Sequence, residues 1–185
     1  MDSQKDFIKK LKNGDKEAFE KLFIEYKNML YTIVNRMIYN KDKVVDITSD
    51  ILLKVYKNIH QFDERSKLST WIYRIAYNHC IDYITKLKTD PLSSYESLDD
   101  VFALSSDTPN PEEEVLMGEK EKVLYTLVDS LPEEYRMVVN FYYFEEVSYK
   151  DISEIMGIPI GTVKTYLFRA KVYLKEKMKE LGFYG

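Results

Sequence analysis

Cys80 is the chain's single cysteine, so no internal disulfide can form, a pattern suited to a reducing compartment. Glycine and proline are also sparse, at six and five in 185 residues, so tight turns are few and long helical periods dominate. No run of about 18 apolar residues is present, which argues against a membrane span. The opening MDSQKDFIKKLKNGDKEAF has no apolar core of the kind a secretory signal needs, so the expected location is the cytoplasm. Histidine is limited to His60 and His79, which lie in different segments, and His79 is followed directly by Cys80, so these two do not share a helix face. No metal-ligand spacing, phosphate-binding glycine loop or nucleophile motif occurs. An enzyme is therefore not expected, and neither a metal nor a cofactor is called for.

What the chain does have is apolar periodicity. Hydrophobic residues make up 45% of the sequence, enough for one or two small domains with their own cores. A short amphipathic helix is expected from Gln4 to Leu11, broken at Asn13-Gly14, with Asp15 as N-cap of a long second helix. In that helix Ala18, Phe19, Leu22, Phe23, Tyr26, Met29, Leu30, Ile33, Val34, Met37 and Ile38 repeat at three and four, predicting one wide buried face. A third helix carries Val44, Ile47, Ile51, Val55 and Ile59 on one face and Asp46, Asp50, Lys54 and Lys57 on the other. After a polar loop, QFDERSKLST, a fourth helix begins near Ser69 or Thr70, either of which can cap it. Leu68, Ile72, Ile75 and Ala76 face its core side. Trp71, Arg74, Asn78, Asp82 and Lys86 form another stripe, and Tyr73 is read as core.

From Lys88 to Asn110 this periodicity gives way to Ser, Pro and Asp, the composition of a linker. Asn110-Pro111 followed by three glutamates reads as a helix start, which continues through Val123, Leu124, Leu127, Val128 and Leu131. Leu131-Pro132 opens a further helix with Tyr135, Val138, Val139, Tyr142 and Tyr143, interrupted at Glu145-Glu146. Ser148 to Met178 then reads as a helix-turn-helix. Tyr149, Ile152, Ile155 and Met156 share one face, Gly157 ends the first helix at positive φ, and Pro159 suits the first turn of the second. In that second helix Val163, Leu167, Ala170 and Leu174 form the buried stripe, leaving Lys164, Thr165, Phe168, Arg169 and Lys171 outward. A plain helical hairpin with a solvated lysine face would show the same pattern.

The net charge of −4 looks wrong for a nucleic-acid binder until it is partitioned. Residues 1–88 hold 17 basic and 12 acidic side chains, a net +5; residues 89–119 hold nine acidic and no basic, a net −9. Residues 120–185 hold ten of each, yet within them residues 164–179 hold six basic against one acidic, a net +5. Charge attraction is local on the scale of a Debye length, about 8–10 Å in cellular salt, so two positive surfaces can meet DNA despite the acidic strip between them. Weak DNA binding by the isolated chain, and a need for a partner, are expected. Residues 65–88 interleave five basic groups and one acidic group with Trp71, Tyr73 and Tyr77, which suits a surface that holds phosphates and stacks unpaired bases.

Two blocks, FDERSKLSTWIYRIAYNHCIDYI and LPEEYRMVVNFYYFEEVSYKDISEIMGIPIGTVKTYLFRAK, strongly resemble the extracytoplasmic-function (ECF) sigma factors of bacterial RNA polymerase, of the sigma-70 family. The resemblance spans roughly residues 15–88 and 111–181. The second block is the less specific, because response-regulator output domains share its TVK-type helix; the first, with S-T-W-I-Y-R-I-A and N-x-x-I-D, is the more specific. The resemblance implies an all-α chain of two small helical domains joined by an acidic linker. Residues 1–88 would be a region 2-like domain for core polymerase and the −10 element. Residues 89–110 would be the linker, similar to the segment that threads the polymerase cleft. Residues 111–185 would be a region 4-like helix-turn-helix for the −35 element. On that likeness Asp46, Ser49 and Asp50 would dock on core polymerase, although the family usually has Gln-Glu where Ser49-Asp50 stand. Lys67, Ser69, Trp71 and Asn78 would lie nearest a base captured from the melted −10 strand. Contacts to its backbone would rest on Lys86 and Lys88, the family often having Arg where Thr85 stands. Lys164, Thr165, Phe168 and Arg169 match the family's −35 reading positions. Leu131 to Phe144 would pack on the polymerase flap, or serve as a core face.

The function so implied is promoter-specific initiation of transcription, with core RNA polymerase and promoter DNA as partners. The family adds an anti-sigma protein, often membrane-bound, which this chain does not identify. Two other classes remain open on the residues alone. One is a helix-turn-helix regulator that binds duplex DNA as a dimer; the acidic linker and the lack of an α/β receiver pattern count against it. The other is an all-helical interaction protein whose basic faces are merely solvated.

Overall fold

The computed structural model describes residues 2–38, 40–89 and 119–182. Of the expected linker, residues 89–110, Thr89 ends a helix and the rest lies outside the described residues, as does the helix start at Asn110-Pro111. Every regular element among the described residues is helical. The chain divides into two compact units, Met1–Thr89 and Asp90–Gly185.

The first unit contains α1 (Asp2–Lys12), α2 (Lys16–Met37), α3 (Val44–Asn58) and α4 (Leu68–Thr89). Gly14, at φ 77°, makes the turn after α1, and Asp15 caps α2 by accepting a hydrogen bond from the Ala18 N–H at 2.9 Å. Asn40 accepts from the Asp42 N–H and starts a 3-10 turn, Lys41–Lys43, that runs into α3. A second 3-10 turn, Ile59–Gln61, ends α3. Helices α2, α3 and α4 pack on one another, while α1 packs on α2 and on the Ile59–Gln61 turn. Leu11, Leu30, Val34, Val44, Ile51, Val55, Ile72, Ala76 and Cys80 are fully buried at the centre. Each large aliphatic side chain so buried stabilises the unit by about 1.5–3 kcal/mol.

The wide face expected of α2 is narrower in fact. Phe23 is 45% exposed, and Phe19, Tyr26 and Met29 are half-buried. The reason is geometric: α3 and α4 can cover only about one third of the helix circumference, and an eleven-residue apolar set overruns it. The start of α4 also differs from expectation. Ser69 and Thr70 lie inside its first turn, and the Lys67 carbonyl accepts the first helical bond, from the Trp71 N–H at 3.1 Å. Leu68 is the cause, since burying it at 3% exposure draws the helix start to an earlier position.

The second unit contains α5 (Glu119–Asp129), α6 (Glu133–Val139), α7 (Tyr149–Met156) and α8 (Ile160–Glu180), with a π-turn, Asn140–Phe144, after α6. Its core gathers Leu127, Val128 and Leu131 around Met137, Val138 and Phe141, with Ile152, Ile155, Val163 and Ala170 from the last two helices. Leu124 of α5 is 39% exposed. Arg136 is 4% exposed and donates from Nη1 to the Asp129 carbonyl at 3.0 Å, tying α6 to the end of α5. Such a bond to an end carbonyl satisfies one of the acceptors that a helix C-terminus leaves open. Helix α8 packs on α5, α6 and α7, so its buried stripe is held from three sides.

Candidate nucleic-acid interface

In the second unit local chemistry fixes how α8 is presented. Ser148 caps α7: its Oγ accepts from the Asp151 N–H at 3.1 Å and donates to Asp151 Oδ2 at 2.7 Å. Gly157 takes φ 66° and ends α7, and its N–H bonds to the Ser153 carbonyl. The Ser153 hydroxyl donates to the Ile158 carbonyl, which locks the turn. Pro159 stands at the N-cap of α8, just before its first turn, with its carbonyl accepting from Thr162 N–H and Val163 N–H. These contacts set the angle between the two helices before any partner is met.

On α8, Val163 and Ala170 are fully buried, Leu167 nearly so, and Leu174 half-buried. The opposite face presents Lys164, Thr165, Phe168, Arg169 and Lys171, all exposed, with Phe168 at 69%. An aromatic ring that open in water gains nothing from the fold and is available to a partner. Two tyrosine pairs flank the row. Arg169 donates from Nη1 to the Tyr135 hydroxyl at 3.3 Å, and that hydrogen bond raises its pKa; the Tyr135 and Tyr166 rings lie 5.1 Å apart. Lys164 sits 5.9 Å from the ring centre of Tyr149, which stacks on Tyr142 at 4.9 Å. Thr165 spends its hydroxyl on the Gly161 carbonyl at 2.9 Å. In the sequence Tyr135 and Tyr149 stand out only as helix-face residues. Their place beside two cations depends on packing between separate helices, which periodicity does not report.

The site in the first unit is the loop from Phe62 into α4. Phe62 is 2% exposed and lies 5.5 Å, ring to ring, from Trp71, which is itself 7% exposed. This corrects the expected outward stripe, because the Phe62 loop folds over that end of α4 and covers the indole. Tyr73, at 8% exposure, is core as expected. Arg74, Asn78, Asp82 and Lys86 are exposed. At 100° per residue Asn78 follows Trp71 on the same side of α4, about 10 Å further along. Ser69 is half-buried and points about 180° away from Asn78, so the structure does not bring these two together. Lys67 is exposed just before the helix. Asp63 shapes the loop by accepting from the Arg65 N–H at 3.2 Å and pairing with the Arg65 side chain at 3.1 Å. Glu64 takes φ 61°, an unusual conformation for a long side chain, which costs on the order of 1–3 kcal/mol.

On α3, Asp46, Ser49 and Asp50 are exposed, and the Ser49 hydroxyl bonds back to the Val45 carbonyl at 2.9 Å. Before and after them along α3 lie three exposed apolar groups outside the residues singled out by motif: Val45 at 61%, Leu53 at 54% and Tyr56 at 52%. With Ser49 they form a stripe at spacings of four, four and three. The sequence does hold a signal for them, since all three fall outside the five-residue core stripe. Tyr56 also packs edge-on against Phe19 of α2 at 4.3 Å. His79, on α4, lies close enough to this helix to feel the charges of Lys54 and Asp50. Its pKa lies below the ordinary 6.5, chiefly from burial and next from Lys54, while Asp50 and Asp82 oppose the shift. Among the described residues no group of three or more His, Cys, Asp or Glu is arranged to hold a metal ion.

Each of the two helical units presents exposed cations, Lys67, Arg74 and Lys86 in the first and Lys164, Arg169 and Lys171 in the second. Comparison with known proteins makes this specific. The family model for sigma-70 region 2 matches residues 22–89, and that for sigma-70 region 4 matches residues 121–174. The chain is 35% identical over 179 residues to the ECF RNA polymerase sigma factor SigW of Bacillus subtilis, covering 94% of this chain and 96% of that one. It is 30% identical over 184 residues to the ECF RNA polymerase sigma-E factor of Escherichia coli K12, covering 94% and 93%. The fold is shared with the sigma factor RpoE of Bartonella quintana, solved with the anti-sigma factor NepR, at TM-score 0.70 and 22% identity over 87% of this chain and 96% of that one. The chain belongs to the ECF sigma factors of RNA polymerase, of the sigma-70 family. Its function is to direct promoter-specific transcription initiation, and it is not itself an enzyme.

Proposed function

We propose that promoter reading is divided between the two units. The observation that carries this is the exposed row Lys164, Thr165, Phe168 and Arg169 on a helix whose opposite face is buried, as entry into a major groove requires. Lys164 and Arg169 pair with guanine edges or phosphates of the −35 duplex, and Thr165 and Phe168 contact thymine methyls. In the first unit Lys67, Ser69 and Asn78 hold the melted −10 strand and Lys86 its backbone. Trp71 acts from beneath, its indole supporting the loop that faces the strand. A 7% exposed ring has little surface for stacking until that loop moves.

Asp46, Ser49 and Asp50 dock on core polymerase together with Val45, Leu53 and Tyr56. An apolar centre with charged groups at its edge is the make-up of a protein interface. A sigma factor of similar fold is bound to an anti-sigma factor, and the same kind of partner is proposed for this chain. Among the described residues no helix is long and apolar enough to cross a membrane; the cytoplasm, where polymerase works, is the proposed location. Run-off transcription with core polymerase on a genomic promoter library tests the reading. Added chain is expected to activate a defined set of promoters; no activated promoter would refute it.

A further inference from the structure

Helix α1 lies outside residues 22–89, which the region 2 family model matches, yet it reaches the loop proposed to face the −10 strand. Lys12, in its last turn, pairs with Glu64 Oε1 at 2.8 Å across 52 residues of sequence. The same ammonium sits 5.8 Å from the centre of the Phe62 ring, and Phe62 in turn covers Trp71. The two side chains of the pair are 29% and 44% exposed, so the contact is sheltered on one side. Helix α1 is a firm base for it, since Leu11 is fully buried and Ile8 is 6% exposed.

We infer that α1 is a brace for the base-reading loop and that Lys12 is its positioning residue, fixing which −10 sequences the protein selects. The inference rests on the proposed reading of residues 62–78. Three observations meet at this point. Glu64 stands in the left-handed region, where a long side chain needs an outside restraint to persist. Its carboxylate, 44% exposed in a loop proposed to face the strand, would repel a phosphate chain, and Lys12 neutralises it. Phe62, the residue through which the loop reaches Trp71, is held by the same cation. Without Lys12 the loop gains conformations, and Lys67 and the start of α4 lose their fixed place.

The test is selection by the holoenzyme, formed from the full chain and core polymerase, on fork-junction DNA whose single-stranded −10 segment is randomised. Lys12→Gln and Glu64→Gln are each expected to flatten sequence enrichment by about two- to fivefold, the span a half-exposed ion pair can carry. The exchange Lys12→Glu with Glu64→Lys is expected to restore it. Rescue by exchange separates a brace from direct DNA contact by Lys12, because a DNA-contacting residue turned acidic stays impaired. A purely structural role would lower the melting temperature while leaving enrichment unchanged. Unchanged enrichment in both single variants, or an exchange as impaired as Lys12→Gln, overturns the brace. Lys67→Ala and Asn78→Ala serve as references. If they flatten enrichment while Lys12→Gln does not, the brace alone falls. If they too leave it unchanged, the reading of the loop falls with it.

Discussion

Burial decides what Trp71 can do. Spacing at three and four assigns it to an outward stripe, yet the Phe62 loop closes over the ring. Trp71→Ala is therefore expected to destabilise the first unit by about 3–5 kcal/mol, as removal of a buried aromatic does. Trp71→Phe should keep most of that stability, and thermal melting distinguishes the two. Any defect in promoter opening has to be read from the phenylalanine variant, since the alanine variant mixes opening with unfolding. At the second site the side chains are open to solvent, and stability is not at stake. Lys164→Ala with Arg169→Ala is expected to abolish −35 selection while leaving core polymerase binding intact. Removing either cation's bidentate pairing with a base weakens discrimination by roughly 10- to 100-fold, measurable by competition between duplexes. Equal loss of both activities would mean that the surface is misassigned.

At the scale of elements, one cap and one glycine fix helix ends, Asp15 at the start of α2 and Gly157 at the end of α7. Asp15→Ala removes the N-cap of α2 and should cost about 0.5–2 kcal/mol. Trp71 is the only tryptophan and lies in the first unit, so its fluorescence in urea follows that unit alone. Gly157→Ala costs roughly 1–2 kcal/mol through backbone conformation only, since an added Cβ would meet nothing within 4 Å. Circular dichroism should record that loss, and tryptophan fluorescence should not. Both positions are legible in the sequence because capping and left-handed turns are local chemistry. The start of α4 is not, because the burial of Leu68 overrides the capping preference of Ser69 and Thr70. The apolar stripe on α3 is hidden for a related reason: five residues already account for the core stripe, while Val45, Leu53 and Tyr56 stand more than half exposed beside it.

Across the whole molecule charge and titration set the conditions of activity. Residues 1–88 and 164–179 carry +5 each and residues 89–119 carry −9, so DNA binding by the free chain should be weak and fall steeply with salt. Promoter selection should appear only with core polymerase, and gel shifts with and without it at two salt concentrations check this. His79 supplies a pH dependence. Its pKa is lowered in the fold by burial, so the folded state favours the neutral ring. That stability is fully present above the ordinary value of 6.5 and is lost as pH falls through the lower, folded value. The first unit should lose stability on mild acidification below pH 6.5, and His79→Gln should remove that part of the loss, as followed by tryptophan fluorescence in urea at several pH values.

The sequence by itself determined the helical elements, the division of charge, and the row Lys164, Thr165, Phe168 and Arg169. These follow from periodicity and composition, which are properties of neighbouring residues. Tertiary structure alone decided that Trp71 lies under Phe62, that Tyr135 and Tyr149 stand beside Arg169 and Lys164, and that Lys12 reaches Glu64. Such pairings join residues on different elements of the chain. They depend on which helix faces meet and how closely, and burial in a shared core settles that without leaving any mark in the local pattern.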